Sequence, residues 1–252
     1  MGMTFRRFGV PLIALALLCA TFVSTPLSAQ EATPAPANLV LPPDAEVAGL
    51  TLGEWQARQW QYMASFPFAG HPVFDDTGAM CGVGQSGPVF LLADSGVERP
   101  IERSCTVPEG IHVLVPLGGV ECSTVEPAPF FGRNEEELRQ CANQLMDQVG
   151  LNGVTVSVNG VEVPDLETYQ SESPLFTLTL PEDNLFRAPA GVAHAVADGF
   201  QIMVGPLPAG EHEIVVRGPG PGGANDMRVT YLLNVQAPQV IDPNAEAATP
   251  IP

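Results

Sequence analysis

The ten residues "VTVSVNGVEV", Val154 to Val163, leave the chain little freedom of fold. Valines alternate with polar residues on both sides of Asn159-Gly160. An alternation of period two gives a strand one core face and one solvent face. An Asn-Gly pair tolerates the positive φ that a two-residue type I′ hairpin turn requires. Short runs of this kind recur at 88–93, 99–107, 111–117, 175–180, 200–204, 212–217 and 227–235, separated by Gly and Pro. "LPAGEHEIVVRG" reads as a turn and a strand that "MRVTYLLNV" can pair with, across an irregular "GPGPGG" loop at Gly218 to Gly223. Strands do not alternate with helices. The pattern predicts a mainly β chain, a β-sandwich of jelly-roll or Ig-like type, with two appended helices.

The first helix starts at Thr51-Leu52-Gly53-Glu54, which has the spacing of a capping box. It is expected to run to about Ser65, with Leu52, Trp55, Trp60, Tyr62, Met63 and Phe66 on one broad face. Gln56 and Gln59 fall within that face. Two Trp and two Gln could form a sugar platform, but the face reads first as core, with its amides and indoles hydrogen-bonded inside. The second helix starts after Asn134, a good N-cap, and Glu135, Glu136 and Glu137 suit the positive end of its dipole. Leu138, Cys141, Leu145 and Val149 supply its apolar stripe, and Gly150 ends it.

The chain divides into four parts. Residues 1–29 read as a signal peptide, with Arg6-Arg7 before the apolar run Val10 to Val23 and cleavage after Ala29. No apolar pair follows the arginines at twin-arginine spacing. Residues 30–43 read as a Pro/Ala-rich linker, 44–236 as one β-rich domain, and 237–252 as an unstructured tail. The protein is therefore expected outside the cytoplasm, secreted or in the cell envelope, with no membrane insertion once the signal is removed. Without Arg6 and Arg7 it keeps 8 arginines, no lysine and 28 acids, so its formal charge is 8 − 28 = −20. Such a surface repels phosphate backbones and argues against nucleic acid as a partner.

Cys19 leaves with the signal. Cys81, Cys105, Cys122 and Cys141 remain, an even number in an exported chain, which indicates two disulfides. Of three pairings, Cys81–Cys105 with Cys122–Cys141 is favoured, because each closes a short local loop at low entropic cost. No C-x2-4-C spacing supports zinc, and no cofactor is expected. His71, His112, His194 and His212, with Glu121, Glu211 or Glu213, are the remaining metal-ligand candidates, but none of them has shared-ligation spacing. His212 reads as a hydrogen-bonded edge residue.

"VFDDTGAMCGVGQSGPVFLL", Val73 to Leu92, carries three catalytic patterns at once. Gly82-x-Gly84-x-x-Gly87 has dinucleotide-loop spacing, but a strand follows it where a helix is needed. Ser86 lacks the second glycine of a nucleophile elbow, since Pro88 stands there. Asp76-Thr77-Gly78-Ala79, with Phe130-Phe131-Gly132-Arg133-Asn134 before a helix, resembles the retroviral-type aspartic peptidases. That resemblance implies a homodimer in which Asp76 supplies one carboxylate of a dyad. Otherwise Asp76 is expected to cap the turn by accepting from the Gly78 and Ala79 N–H groups.

A longer resemblance rests on "GEWQARQWQYMASFP", "TGAMCGVGQSGPVFLL", "CTVPEG" with "VPLGGVECS", and "VADGFQIMVGPLPAGEHEI". On these pieces the chain resembles a family of exported bacterial proteins of unknown function. The resemblance implies that Gly78 to Gly87 form a structural turn around a disulfide, with Gln85 bonding across it. The reading is a secreted, non-enzymatic binding or envelope-associated protein with carbohydrate or protein as ligand. The alternative is the peptidase using Asp76.

Overall fold

The computed structural model describes residues 39–97, 99–219 and 226–237. The expected signal peptide, most of the linker, all of the tail but Ala237, and the "GPGPGG" loop beyond Pro219 lie outside these residues.

Two five-stranded sheets form a sandwich. The first holds β1 (Val89–Leu91), β3 (His112–Ser123), β6 (Gln170–Glu172), β7 (Phe176–Leu180) and β8 (Gly191–Val204). β8 is central: it pairs antiparallel with β3 on one edge and with β6 and β7 in turn on the other. β1 runs parallel beside β3. The second sheet has the order β2 (Ile101–Pro108), β10 (Asp226–Gln236), β9 (Gly210–Pro219), β4 (Thr155–Val158) and β5 (Val161–Glu162). β9 and β10 pair antiparallel, as the sequence predicts, and β2 joins β10 in parallel. The Asn159-Gly160 hairpin forms with φ of 50° and 75°, and Val158 faces Val161 across it.

Helix α1 (Leu52–Ala64) lies on one face of the first sheet. Thr51 and Glu54 make the capping box, with the Thr51 N–H donating to the Glu54 carboxylate at 2.8 Å. Ala57 and Ala64 meet Ala193, Ala195 and Ala197 of β8. Small side chains on both sides let the helix lie close. The alternate residues Val196, Phe200, Ile202 and Val204 join the main core, with Ile214, Tyr231 and Leu233 of the second sheet. That core also takes helix α2 (Glu135–Val149), which Asn134 caps by accepting from the Glu137 N–H at 3.0 Å.

Several expectations need correction. The buried stripe of α2 is Leu138, Ala142 and Met146, while Val149 is half exposed. Trp55 is core, its indole N–H bonded to the Val47 carbonyl at 3.0 Å, but Trp60 is only half buried. Leu39 and Leu41 exchange backbone bonds with Gly205 and Met203, so the folded body begins before residue 44. β8 starts nine residues earlier than its apolar run suggests. "GVAHAVADG" is rich in Ala and Gly and shows no apolar alternation: small Ala193 and Ala195 are buried under α1 while Val192, 69% exposed, and His194 face solvent, so hydropathy does not follow burial there.

Disulfides join Cys81 to Cys105 and Cys122 to Cys141, the two local pairs. The first ties the glycine-rich turn to β2, and the second pins α2 to β3. The residues of each pair stand 24 and 19 apart, and loops of that size stabilise by about 3 kcal/mol each. Replacing Cys122 and Cys141 together by Ala should therefore lower the unfolding free energy by about 3 kcal/mol in urea titrations. Alkylation of the native, unreduced protein should modify none of the four thiols.

Candidate functional site

The stretch with three catalytic patterns is built as a scaffold. Asp75 organises it: one carboxylate oxygen accepts from the Thr77 N–H at 2.9 Å and hydroxyl at 2.8 Å, the other from the Met80 N–H at 2.8 Å. Burial opposes its charge, but the donors of Met80, Thr77 and Gly78 outweigh that and hold its pKa below the ordinary value. The turn-capping carboxylate is thus Asp75, not Asp76. Asp76 points outward, 39% exposed, and pairs with Arg99. Two adjacent aspartates offer the same chemistry, and only the backbone decides which one turns in. Gly78 has φ of 93°, and a Cβ there would lie 2.4 Å from the Ser104 carbonyl oxygen. Gln85 does bond across the turn, donating to the Cys81 and Leu91 carbonyls at 2.9 and 2.8 Å and accepting from the Leu91 N–H at 3.0 Å. The Tyr62 hydroxyl closes the network on the Val83 carbonyl, and burial pushes its pKa up to about 12.

Beneath the turn lies Arg103, on β2 and only 2% exposed. Its guanidinium donates to the carbonyls of Pro72, Val73, Asp75, Ala93 and Asp94. The Tyr231 ring lies 5.8 Å from it. Sequence reasoning missed this residue, although the alternation of β2 sets it on the core face with Ile101, Cys105 and Val107.

Beside the scaffold, α1 and β3 leave a cleft of about 140 Å³. Gly118 and Gly119 form its floor, and Trp60, Met63, Leu185 and Phe200 its walls. Val73 and Asp94, both held by Arg103, complete the rim. Gly199 is required next to the floor: a Cβ there would lie 2.6 Å from the Gly119 Cα. Three buried amides set the helix against the sheet. Gln56 accepts from the Gly199 N–H at 2.9 Å and donates to Ser171. Gln59 donates to the Leu92 carbonyl at 2.8 Å, and Gln201 to the Leu52 carbonyl at 2.7 Å. The Oε1 of Gln59 has no partner.

A second, wider groove of about 510 Å³ crosses the second sheet, among Ser104, Thr106, Glu211, Glu213 and Asn234. His212 at its end is bonded, Nδ1 to the Asn159 amide at 2.9 Å and Nε2 to the Pro208 carbonyl at 2.8 Å. His71 is buried: Nε2 donates to the Met63 carbonyl at 2.9 Å and Nδ1 accepts from the Val73 N–H at 3.1 Å. Burial holds its pKa, and that of His112, below the ordinary value. Among the described residues, no group of three or more His, Cys, Asp or Glu side chains could hold a metal ion. Glu121, one of the candidate ligands, instead lies buried beside Glu126, a residue that no sequence pattern marks. No protein-family model, curated protein or solved structure matches the chain.

The two aspartates separate in a simple test. Asp75→Ala should cost about 1–2 kcal/mol in unfolding free energy, as loss of a cap does, whereas Asp76→Ala should change it by no more than about 0.5 kcal/mol. With its pKa depressed, Asp75 contributes stability above the ordinary carboxylate pKa and loses it as pH falls. The difference between the two variants should therefore shrink on titration to acid.

Proposed function

We propose that this is a secreted, non-enzymatic binding protein that holds one neutral sugar ring in the cleft between α1 and β3. The observation that carries the reading is the cleft itself. It opens over about 140 Å³ between a helix and a sheet and is lined by Trp60 together with polar Gln56, Gln59 and Gln201. Its walls stand on a disulfide-bonded sandwich and a capped helix, so the site is formed in advance of ligand. Half-buried Trp60 offers an aromatic face at the cleft, and Gln59 Oε1, without a partner among the described residues, is the polar atom left for a ligand. Asp94 at the rim and the formal charge of −18 disfavour an anionic ligand. Two disulfides suit an oxidising compartment, and among the described residues no helix is long and apolar enough to cross a membrane. The resemblance to exported proteins points the same way.

The test is titration of the purified protein with neutral mono- and disaccharides, read by calorimetry and by tryptophan fluorescence. The wild type should bind at least one of them. Leu185→Trp, which fills the cleft from its wall, should abolish binding while leaving the unfolding transition intact. Failure of every sugar to bind, or binding that survives Leu185→Trp, would contradict the proposal.

A further inference from the structure

We infer that Glu121 and Glu126 form a proton-operated latch on the segment 124–132, which joins β3 to α2. Glu121 stands on β3 and is 3% exposed; Glu126 stands on the segment and is 9% exposed. Ser123 lies two residues beyond Glu121 on β3 and so shares its face, and its hydroxyl donates to Glu126 at 2.8 Å, which brings the two carboxyls to one place. Glu121 Oε1 has no partner. None of the four ion pairs among the described residues involves either group.

The surroundings supply no compensating charge. Glu121 lies opposite Ala197 in the β3–β8 register and so shares its face, the one that α1 covers. Helix α1 brings Glu54, bonded to Thr51, an exposed Arg58, and Tyr62, bonded to Val83. β7 carries no titratable group. His194 and Asp198 of β8 alternate onto the opposite face, and Glu172 of β6, paired with Asp198, goes with them. Arg187, beyond β7, is exposed, and Arg133 is engaged by Glu137.

Two carboxyls buried in contact without a cation cannot both be charged at modest cost. One proton resolves the conflict: Glu121 keeps it and donates it to Glu126. Burial raises both pKa values, and the neighbouring Glu126 raises that of Glu121 further. The linkage sign follows. The folded pair retains a proton that the unfolded chain gives up, so its contribution is present below the ordinary glutamate pKa and lost as pH rises through the folded one.

When the proton leaves, Glu126 is the partner that moves. Glu121 is held in β3 by its pairing with Ala197 of β8, whereas Glu126 sits on irregular chain. The segment's other ties lie at its ends or within itself: Ser123 N–H to Phe130 O at 3.0 Å, Gly132 N–H to Ser123 O at 3.2 Å, Phe130 N–H to Pro127 O at 3.1 Å, Thr124 N–H to His194 O at 3.0 Å with His194 N–H to Thr124 Oγ1 at 3.2 Å, and Val125 against the alanine cluster. The Cys122–Cys141 bridge holds α2 to β3 at its base, so release is confined to the segment between. That segment carries Phe130 and Phe131, already 39% and 45% exposed, and release frees them further.

Amide hydrogen exchange of the full chain, read by mass spectrometry between about pH 5 and 9 and expressed as protection factors, tests the latch. In the wild type, protection of peptides covering 124–132 should fall with rising pH, by up to about tenfold per pH unit for one proton, while β8 peptides stay protected. Glu121→Gln keeps a donor and removes the charge, so its segment should stay protected throughout. Glu126→Ala should leave the segment open at every pH, with unfolding still cooperative. Wild-type protection that does not change with pH, or a pH dependence that persists in Glu121→Gln, would overturn the inference. So would protection restored at high pH by added calcium, since the pair would then be a cation site.

Discussion

Five carbonyl groups converge on the guanidinium of Arg103, and much of the molecule's shape depends on that convergence. The side chain is permanently charged and nearly fully buried, yet none of the described ion pairs includes it. An isolated buried charge would be prohibitive. Here each N–H group meets a backbone oxygen, so the backbone supplies the solvation that water would otherwise give. The carbonyls come from the short 3₁₀ turn Pro72–Phe74 with Asp75 and from 93–94, neither of which belongs to a sheet. Tyr231 lies against the same group and donates to the Ala93 carbonyl at 2.7 Å. One arginine of β2 thereby fixes the segments on either side of the glycine-rich turn.

Function follows from this placement. Val73 and Asp94, which Arg103 holds, form the rim of the α1–β3 cleft, and the Cys81–Cys105 bridge secures the same region to β2. The stretch with the strongest catalytic look thus contributes one rim residue, Val73, and otherwise serves as scaffold. Its glycines serve close approach, as at Gly78, and its carboxylates serve turn geometry. The cleft itself is made by the pieces this scaffold positions: a helix set down on alanines, a glycine floor, and amides that bond the helix to the sheet.

Much of this was legible before any coordinates. The Asn159-Gly160 hairpin, the Thr51–Glu54 capping box, the Asn134 cap and the local cysteine pairs all rest on contacts within a few residues or short loops, where spacing in sequence is spacing in space. What escaped depends on layers. The first half of β8 carries no apolar alternation because alanines, small enough to lie under α1, take its buried positions while Val192 faces solvent. On α2 the buried stripe runs through Leu138, Ala142 and Met146, with Cys141 and Leu145 packed at its edge, because alanine is small enough to sit beneath the helix without standing out as apolar in the sequence. Arg103 and the Glu121–Glu126 pair escaped for a shared reason: a charged residue in a sequence reads as exposed, and only the fold shows that its partners are backbone carbonyls or another acid.

The most direct test of the account is equilibrium unfolding of Arg103→Lys in urea. Lysine keeps the charge but offers three donors from a point where arginine offers five from a planar fork. If the guanidinium organises the scaffold, the variant should lose about 2–4 kcal/mol with an m-value near that of the wild type, because buried carbonyls are left without partners. Stability within about 0.5 kcal/mol of the wild type would contradict the account, since the turn and the cleft rim would then be held by something other than Arg103.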